Sequence, residues 1–80
     1  MTVREALTKA TAQLSLPCPS AMIDTPALDA GLLLAETLQC SREELLLRAN
    51  ETVSEAGRHY FFNLLDRRRS GECIAYILGR

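Results

Sequence analysis

Few side chains in this sequence have the type and spacing that catalysis requires. His59 is the only histidine, the residue type that most often acts as a base at neutral pH, and it lies between Arg58 and Tyr60 in a segment with helical periodicity. No spacing of Ser, His and Asp supports a catalytic triad. We therefore expect His59 to be a surface or boundary residue, and we expect no catalytic residue in the chain.

Acidic and sulfur side chains are present but poorly arranged for a metal. Asp29 and Glu36 lie two turns apart on one predicted helix, where a metal-binding or acid–base pair is one interpretation and a solvated strip on an apolar helix is the simpler one. Cys18, Cys40 and Cys73 are widely spaced and form no C-x-x-C pair. We expect no metal site, and we expect Cys73 to be a passive rather than a reactive thiol.

Arginine provides the one concentrated charge, in the triplet Arg67-Arg68-Arg69. Guanidinium groups suit bidentate contacts to carboxylate and phosphate. Three roles remain open for the triplet: stabilising the carbonyl end of a helix, contacting another domain, or contacting an external partner. We take Arg58 and the triplet residues Arg67, Arg68 and Arg69 as candidate partner-binding residues, and we predict no cofactor-binding residues.

Charge and composition exclude several classes of protein. The net charge of −1 argues against a general nucleic-acid binder, and the acidic start of the predicted third helix argues against a helix-turn-helix around Cys40 and Ser41. No apolar run is long enough to span a bilayer, and no secretory peptide is present. Unpaired cysteines are typical of a reducing compartment, so we expect a cytoplasmic protein.

Composition and periodicity predict an all-α fold. Of the 80 residues, 48% are hydrophobic, mostly Leu and Ala, which favour helices over strands. Helices are predicted at approximately 2–14, 26–39, 42–49 and 53–70, with a short helix, turn or strand at 73–78. Short connections between helices that each have an apolar face indicate a small antiparallel bundle of four to five helices. The second helix is apolar nearly all round and is predicted to be the centre of the fold.

Local signals mark where these helices begin and end. Thr2, Thr25, Ser41 and Thr52 are predicted N-caps, and all except Thr25 are followed three residues later by the Glu of a capping box. Asn50 and Gly71 are predicted left-handed ends. Gly31, inside the second helix, predicts a close crossing with another helix. The predicted apolar face of the fourth helix consists of Val53, Ala56, Tyr60, Phe61, Leu64 and Leu65.

The C-terminal part of the chain resembles a known family. The segment Arg67-Arg68-Arg69-Ser70-Gly71-Glu72-Cys73-Ile74-Ala75-Tyr76-Ile77-Leu78-Gly79 is similar to R-R-x-x-G-E-P-I-A-Y-I-L-G of the PrmC/HemK protein-(glutamine-N5) methyltransferases. Upstream, Asp29-Ala30-Gly31-Leu32-Leu33-Leu34 resembles the D-A-x-x-L-L of the same family. Cys73 stands where the family usually has proline, and its presence predicts a looser chain at that point.

The resemblance implies a division of labour within a larger protein. Residues 1–70 are expected to form a helical, substrate-recognition N-terminal domain, and residues 71–80 to begin the linker to a catalytic domain absent from this chain. The parent enzyme would transfer a methyl group from S-adenosylmethionine to the glutamine of the G-G-Q loop in peptide chain release factors. The expected partners are the release factor and the catalytic domain, without direct nucleic-acid or membrane contact, and the expected state is a monomer. A purely structural domain and a free-standing helical adaptor remain the alternatives.

Overall fold

The fold was established from a computed structural model that describes residues 1–17 and 23–79; Cys18, one of the three cysteines predicted to be unpaired, lies outside the described residues. It has five helices in order: α1 Val3–Ser15, α2 Pro26–Leu38, α3 Arg42–Leu47, α4 Glu55–Arg69 and α5 Ile74–Leu78. Within those two ranges there is no β-strand, and an isolated antiparallel bridge joins Thr2 to Thr52. The predicted all-α fold is confirmed.

Helix α2 is the centre of the fold, as its sequence predicted, because it packs against all four other helices. Ala30, Leu33 and Leu34 on this helix are completely buried. Its most extensive contact is with α1, which places Ala6 and Ala10 in the core with no exposed surface. Alanines at these positions let the two helices approach closely, since interiors are packed without room for larger side chains.

One of the predicted capping boxes, at α1, has both of its hydrogen bonds, and the one at α3 has only the bond to the N-cap side chain. At α1, the Glu5 backbone N–H donates to Thr2 Oγ1 over 3.2 Å, and the Thr2 backbone N–H donates to Glu5 Oε1 over 3.2 Å. Hydrogen bonding to the Glu5 carboxyl, first by the Thr2 backbone N–H and then by the Thr2 side chain, holds the pKa of this carboxyl below its usual value. At α3, the Glu44 backbone N–H donates to Ser41 Oγ over 3.2 Å. Both helix starts are therefore determined by residues within three positions of the cap.

The predicted start of α4 is wrong. Ser54 is the N-cap and accepts a hydrogen bond from the Gly57 backbone N–H over 3.0 Å, so the helix begins later than expected. Thr52 instead forms the bridge to the N-terminal segment, and Val53 beside it donates its N–H to the Met1 carbonyl over 2.8 Å. Since this pairing also buries Val53, the extended backbone at 52–53 gains contacts that a longer helix would lose.

The connection after α3 also differs from the prediction. Helix α3 ends at Leu47, and Asn50 is not left-handed; the left-handed non-glycine residue in the described chain is Gln39, with φ 54° at the end of α2. A backbone hydrogen bond from Glu51 N–H to the Arg48 carbonyl, 2.9 Å long, closes a turn over this region. This turn connects α3 to the extended segment without a left-handed residue.

Gly31 lies against a side chain rather than at a close helix crossing. A β-carbon at Gly31 would lie 3.3 Å from Arg42 Nε, and its nearest neighbours all belong to the Arg42 side chain. The prediction of a close approach at Gly31 is therefore correct, but the predicted partner is wrong.

The end of α4 agrees with the sequence. Gly71 has φ 109°, its N–H donates to the Arg68 carbonyl over 3.2 Å, and the Glu72 N–H donates to the Arg67 carbonyl over 3.2 Å. These two bonds make a Schellman motif, which requires the left-handed residue that glycine adopts without steric cost. The chain direction after α4 is therefore set by local backbone chemistry.

The segment after Gly71 forms helix α5, so the strand alternative is wrong. Ile77 is buried in the core, and Ile74 and Leu78 pack partly against it. Helix α5 contacts both α2 and α4. The domain boundary predicted near residue 70 stays a prediction, but residues 74–78 pack on the helical bundle.

Replacing Cys73 with proline is expected to stabilise the fold. Cys73 has φ −77° and ψ 156°, which proline adopts without strain, and no hydrogen bond from its backbone N–H is found in the described part of the chain. Cys73→Pro should raise the free energy of unfolding by about 0.5–1 kcal/mol, because proline restricts the unfolded chain. Urea denaturation of the two proteins measures the difference. A loss of stability would contradict this geometry, and Cys73→Ala, which leaves the backbone unrestricted, is the control.

Candidate partner-binding site

The four candidate arginines do not form a single basic patch. Arg58 is exposed, whereas Arg67 and Arg69 are partly buried. Arg68 points into the fold, where its Nε lies 2.9 Å from Asp29 Oδ2 on α2. Arg58 and the triplet also lie at opposite ends of α4, about 15 Å apart for ten residues of helix. The partner-binding role of these four residues stays a prediction.

Asp29 is not part of a solvated strip, and that interpretation is wrong for this residue. Asp29 is only 6% exposed, and its carboxylate is paired with Arg68. The Thr25 hydroxyl donates to the other carboxylate oxygen, Oδ1, over 3.3 Å. Thr25 is the N-cap position of α2, but its side chain makes no capping hydrogen bond. A buried carboxylate needs such partners, since an uncompensated charge in the interior is strongly unfavourable.

The spacing of apolar residues along α4 indicates that the Arg68 side chain faces the interior. Phe61, Leu64 and Leu65 form the buried face of this helix, as predicted. Arg68 follows them at spacings of seven, four and three residues, which places it on the same face. Ala56 and Tyr60, which were assigned to that face, are exposed instead, with Tyr60 at 46%.

Arg67 is held by an acidic partner across the turn. Its Nη2 lies 2.9 Å from Glu72 Oε1, and its Nε donates to both oxygens of that carboxylate over 3.2 Å. Its guanidinium carbon also lies 6.0 Å from the centre of the Tyr76 ring. The hydrogen bond to Glu72 raises the pKa of Arg67 above its usual range. We call Asp29, Arg67, Arg68 and Glu72 together the arginine cluster.

The arginine cluster changes the surface that a partner would meet. Two of the three triplet charges are balanced by carboxylates of the same chain. What remains accessible around Arg67 is aromatic, because Tyr76 is 69% exposed and Tyr60 lies on the same face of α4 as Arg67, seven residues earlier. Tyrosine and arginine are the residue types most enriched where proteins bind one another tightly. Tyr76 and Glu72 were not identified from the sequence. The indication for them was their position after Gly71, on the other side of the turn from the triplet.

A second surface feature lies between α1, α2 and α3. A groove of about 280 Å³ is lined by Leu7, Ala27, Gly31, Arg42, Glu43, Leu45 and Leu46. Beside it, Leu46 and Leu47 on α3 are 77% and 87% exposed, the largest apolar exposure among the described residues. This surface was not predicted from the sequence, because a helix of six residues defines no clear periodicity.

The remaining candidates for chemistry are isolated. His59 is exposed, as expected, and Cys40 and Cys73 are free. In residues 1–17 and 23–79, no group of three His, Cys, Asp or Glu side chains is arranged to hold a metal. Over the same residues, no helix is long and apolar enough to cross a membrane.

Comparison with known proteins gives a consistent result. The Vibrio cholerae release factor glutamine methyltransferase is 39% identical over 79 residues, which cover 99% of this chain and 26% of that protein. The corresponding enzyme of Burkholderia pseudomallei is 45% identical over 53 residues, covering 66% of this chain and 19% of that protein. A bifunctional methyltransferase of Rickettsia prowazekii is 44% identical over 57 residues, covering 71% of this chain and 11% of that protein.

These proteins are much longer than the chain described here. The chain spans no more than about a quarter of the length of these relatives. No solved structure matches it significantly. The profile of the PrmC N-terminal domain matches residues 5–79, nearly the whole chain. The chain therefore belongs to the family of PrmC N-terminal domains.

Proposed function

We propose that this chain is the N-terminal domain of an S-adenosylmethionine-dependent methyltransferase that modifies the G-G-Q glutamine of peptide chain release factors. Its role is to bind the release factor and position the glutamine, while the remainder of the parent protein transfers the methyl group. The observation that carries this proposal is the family match over residues 5–79, in a chain whose full-length relatives are named release factor glutamine methyltransferases. The parent protein is proposed to act in the cytoplasm as a monomer.

The described residues do not fit S-adenosylmethionine. Such a cofactor is held by a glycine-rich loop that follows a strand, and residues 1–17 and 23–79 contain no strand. The groove beside α3 has mainly aliphatic side chains and offers no comparable loop. We therefore assign the cofactor, and every step of methyl transfer, to a catalytic domain outside this chain.

Arg58 is the candidate residue best placed to contact a release factor. It is exposed on α4 and makes no side-chain ion pair within the described ranges. Arg67 is less available than Arg58, since its Nε and Nη2 bind Glu72. Its guanidinium also lies beside Tyr76. Arg68 supports the domain from within and is not proposed to touch the partner.

A chimera with the Vibrio cholerae relative tests the positioning role. In that protein the aligned segment is deleted, or replaced by this chain, and kcat/KM is measured on an intact release factor and on a short G-G-Q peptide. We expect deletion to lower kcat/KM at least about tenfold on the intact factor alone, because one or two lost contact residues already correspond to that factor. The chimera should restore kcat/KM on the intact factor, and Arg58→Glu in the chimera should lower kcat/KM again. His59→Gln, a neighbouring exposed substitution, is the matched control.

A purely structural role is the second candidate, favoured by the exposed Leu46 and Leu47 beside the apolar groove. A domain that only covers apolar surface of its neighbour would protect the enzyme from aggregation. Deletion would then lower activity on the intact factor and on the peptide by the same factor. Equal losses on both substrates would refute the positioning role.

A further inference from the structure

Helix α5 has only a small apolar contact of its own with the bundle. It has five residues, Ile74–Leu78, whereas isolated helices shorter than about 12 residues are marginal in water. Of these five, Ile77 alone is buried. The Schellman motif sets the direction of the chain at Gly71 but makes no contact with another helix. A polar link between this segment and the bundle is therefore expected to add to the packing of Ile74, Ile77 and Leu78.

Arg68 provides that link. Its Nε binds Asp29 Oδ2 on α2 over 2.9 Å, and its Nη1 donates to the backbone carbonyl of Glu72 over 3.1 Å. A single planar guanidinium thus joins the central helix to the first residue after the turn. Lysine has all its donors on a single nitrogen, so it does not reproduce the two contacts that separate nitrogens of a planar guanidinium make. The contact is largely shielded from water, which strengthens it relative to a surface ion pair.

We propose that Asp29 is a positioning residue that acts through Arg68 to hold α5 on the bundle, so that residues 73–79 detach as a unit when this link is weakened, while the Glu72 carboxylate stays bound to Arg67. The four-helix body, α1 to α4, stays folded in the detached state. The direction in which the chain leaves the bundle is then controlled by a buried carboxylate that lies 39 residues earlier than its partner Arg68. Asp29 makes no contact with any reacting group.

Weakening this link is expected to release α5 and leave the other helices folded, because α5 buries little of the apolar surface. Detaching α5 exposes Ile77 and the inner sides of Ile74 and Leu78, a small fraction of the core. The contact between α1 and α2 is more extensive, and Asp29 is the one residue of the link that belongs to either of these helices. Segments with few buried contacts open at lower free energy than the core, so α5 can open alone.

Hydrogen exchange of the 80-residue chain, followed by NMR, tests this proposal. Asp29→Asn preserves the size of the side chain and its oxygen for Thr25 while removing the charge. The reporter is the Ile77 N–H, which donates to the Cys73 carbonyl over 3.0 Å, and the reference is the set of amides in α1 and the middle of α2. We expect Asp29→Asn to accelerate exchange at Ile77 at least about tenfold and the reference amides less than about twofold.

Several results would overturn the proposal. An Ile77 amide that is already unprotected in the unsubstituted protein would mean that α5 is not held. Unchanged exchange at Ile77 in Asp29→Asn would mean that Asp29 does not hold it. Equal acceleration of the reference amides, or general unfolding, would mean that Asp29 supports the whole core.

A second variant tests the path through Arg68. Arg68→Lys keeps a cation for Asp29 but loses the nitrogen that binds the Glu72 carbonyl, so Ile77 alone should again exchange faster. Adding Asp29→Asn to Arg68→Lys should then have little further effect, because the path from Asp29 to α5 is already broken. Accelerations that multiply in the double variant would overturn the path. Arg48→Lys, at the exposed 3.7 Å contact with Glu51, is the matched control and should change neither set of amides.

Discussion

Phe61→Ala is expected to destabilise this domain by about 3–5 kcal/mol, a loss typical of truncating a fully buried phenylalanine. Phe61 on α4 has no exposed surface, and its ring centre lies 5.6 Å from that of Phe62. A domain of 80 residues has a total stability of only about 4–12 kcal/mol, so the variant should be partly unfolded at room temperature if the domain lies near the lower end of this range. The cost arises because the rigid helices around the site cannot close the cavity completely.

Urea denaturation measures this loss as a lower midpoint with an unchanged slope. Tyr60→Ala is the matched control, since Tyr60 is the preceding aromatic residue on α4 but is 46% exposed. Its cost should stay below about 1 kcal/mol, as for most partly exposed positions without a buried contact. Equal costs at the two positions would contradict the orientation of α4.

Ala10→Leu is expected to cost about 2–3 kcal/mol, at the upper end of overpacking effects. Ala10 lies in the extensive α1–α2 contact and has no exposed surface. Three additional carbon atoms there would force the two helices apart or push side chains from their preferred rotamers. Because α2 also contacts the other three helices, α2 cannot move away from the larger side chain without disturbing those contacts.

Ala12→Leu is the control for this substitution. Ala12 lies on the exposed side of the same helix, and leucine has nearly the same helix propensity as alanine. Its effect should remain within about 0.5 kcal/mol. Thermal or urea denaturation of both variants provides the comparison, and a similar loss at both positions would mean that α1 does not pack on α2 through Ala10.

Much of the helical architecture could be predicted from the sequence because its determinants are local. The start of α1 depends on Thr2 and Glu5, three residues apart, and the end of α4 depends on the conformational freedom of Gly71. The apolar character of α2 similarly determined its central position, since a helix that is apolar nearly all round must be covered on several sides. These signals act over a few residues and are present before the chain folds.

Local signals were insufficient where two of them competed or where none was decisive. Thr52 and Ser54 are both acceptable N-caps for α4, and the pairing of Thr52 with the N-terminal segment selected Ser54. The tail at 73–78 is too short for its own sequence to choose between helix and strand. Packing of Ile77 against α2 and α4 made that choice.

The candidate site depended most on tertiary structure. The sequence by itself determined that arginines are concentrated in the triplet at residues 67–69, at the end of a predicted helix. Only the folded structure decided that Arg68 binds Asp29, 39 residues away, that Arg67 binds Glu72, and that Arg58 remains accessible. The physical reason is that the environment of a charge is set by the residues that packing brings around it, and the order of residues along a chain does not specify those neighbours.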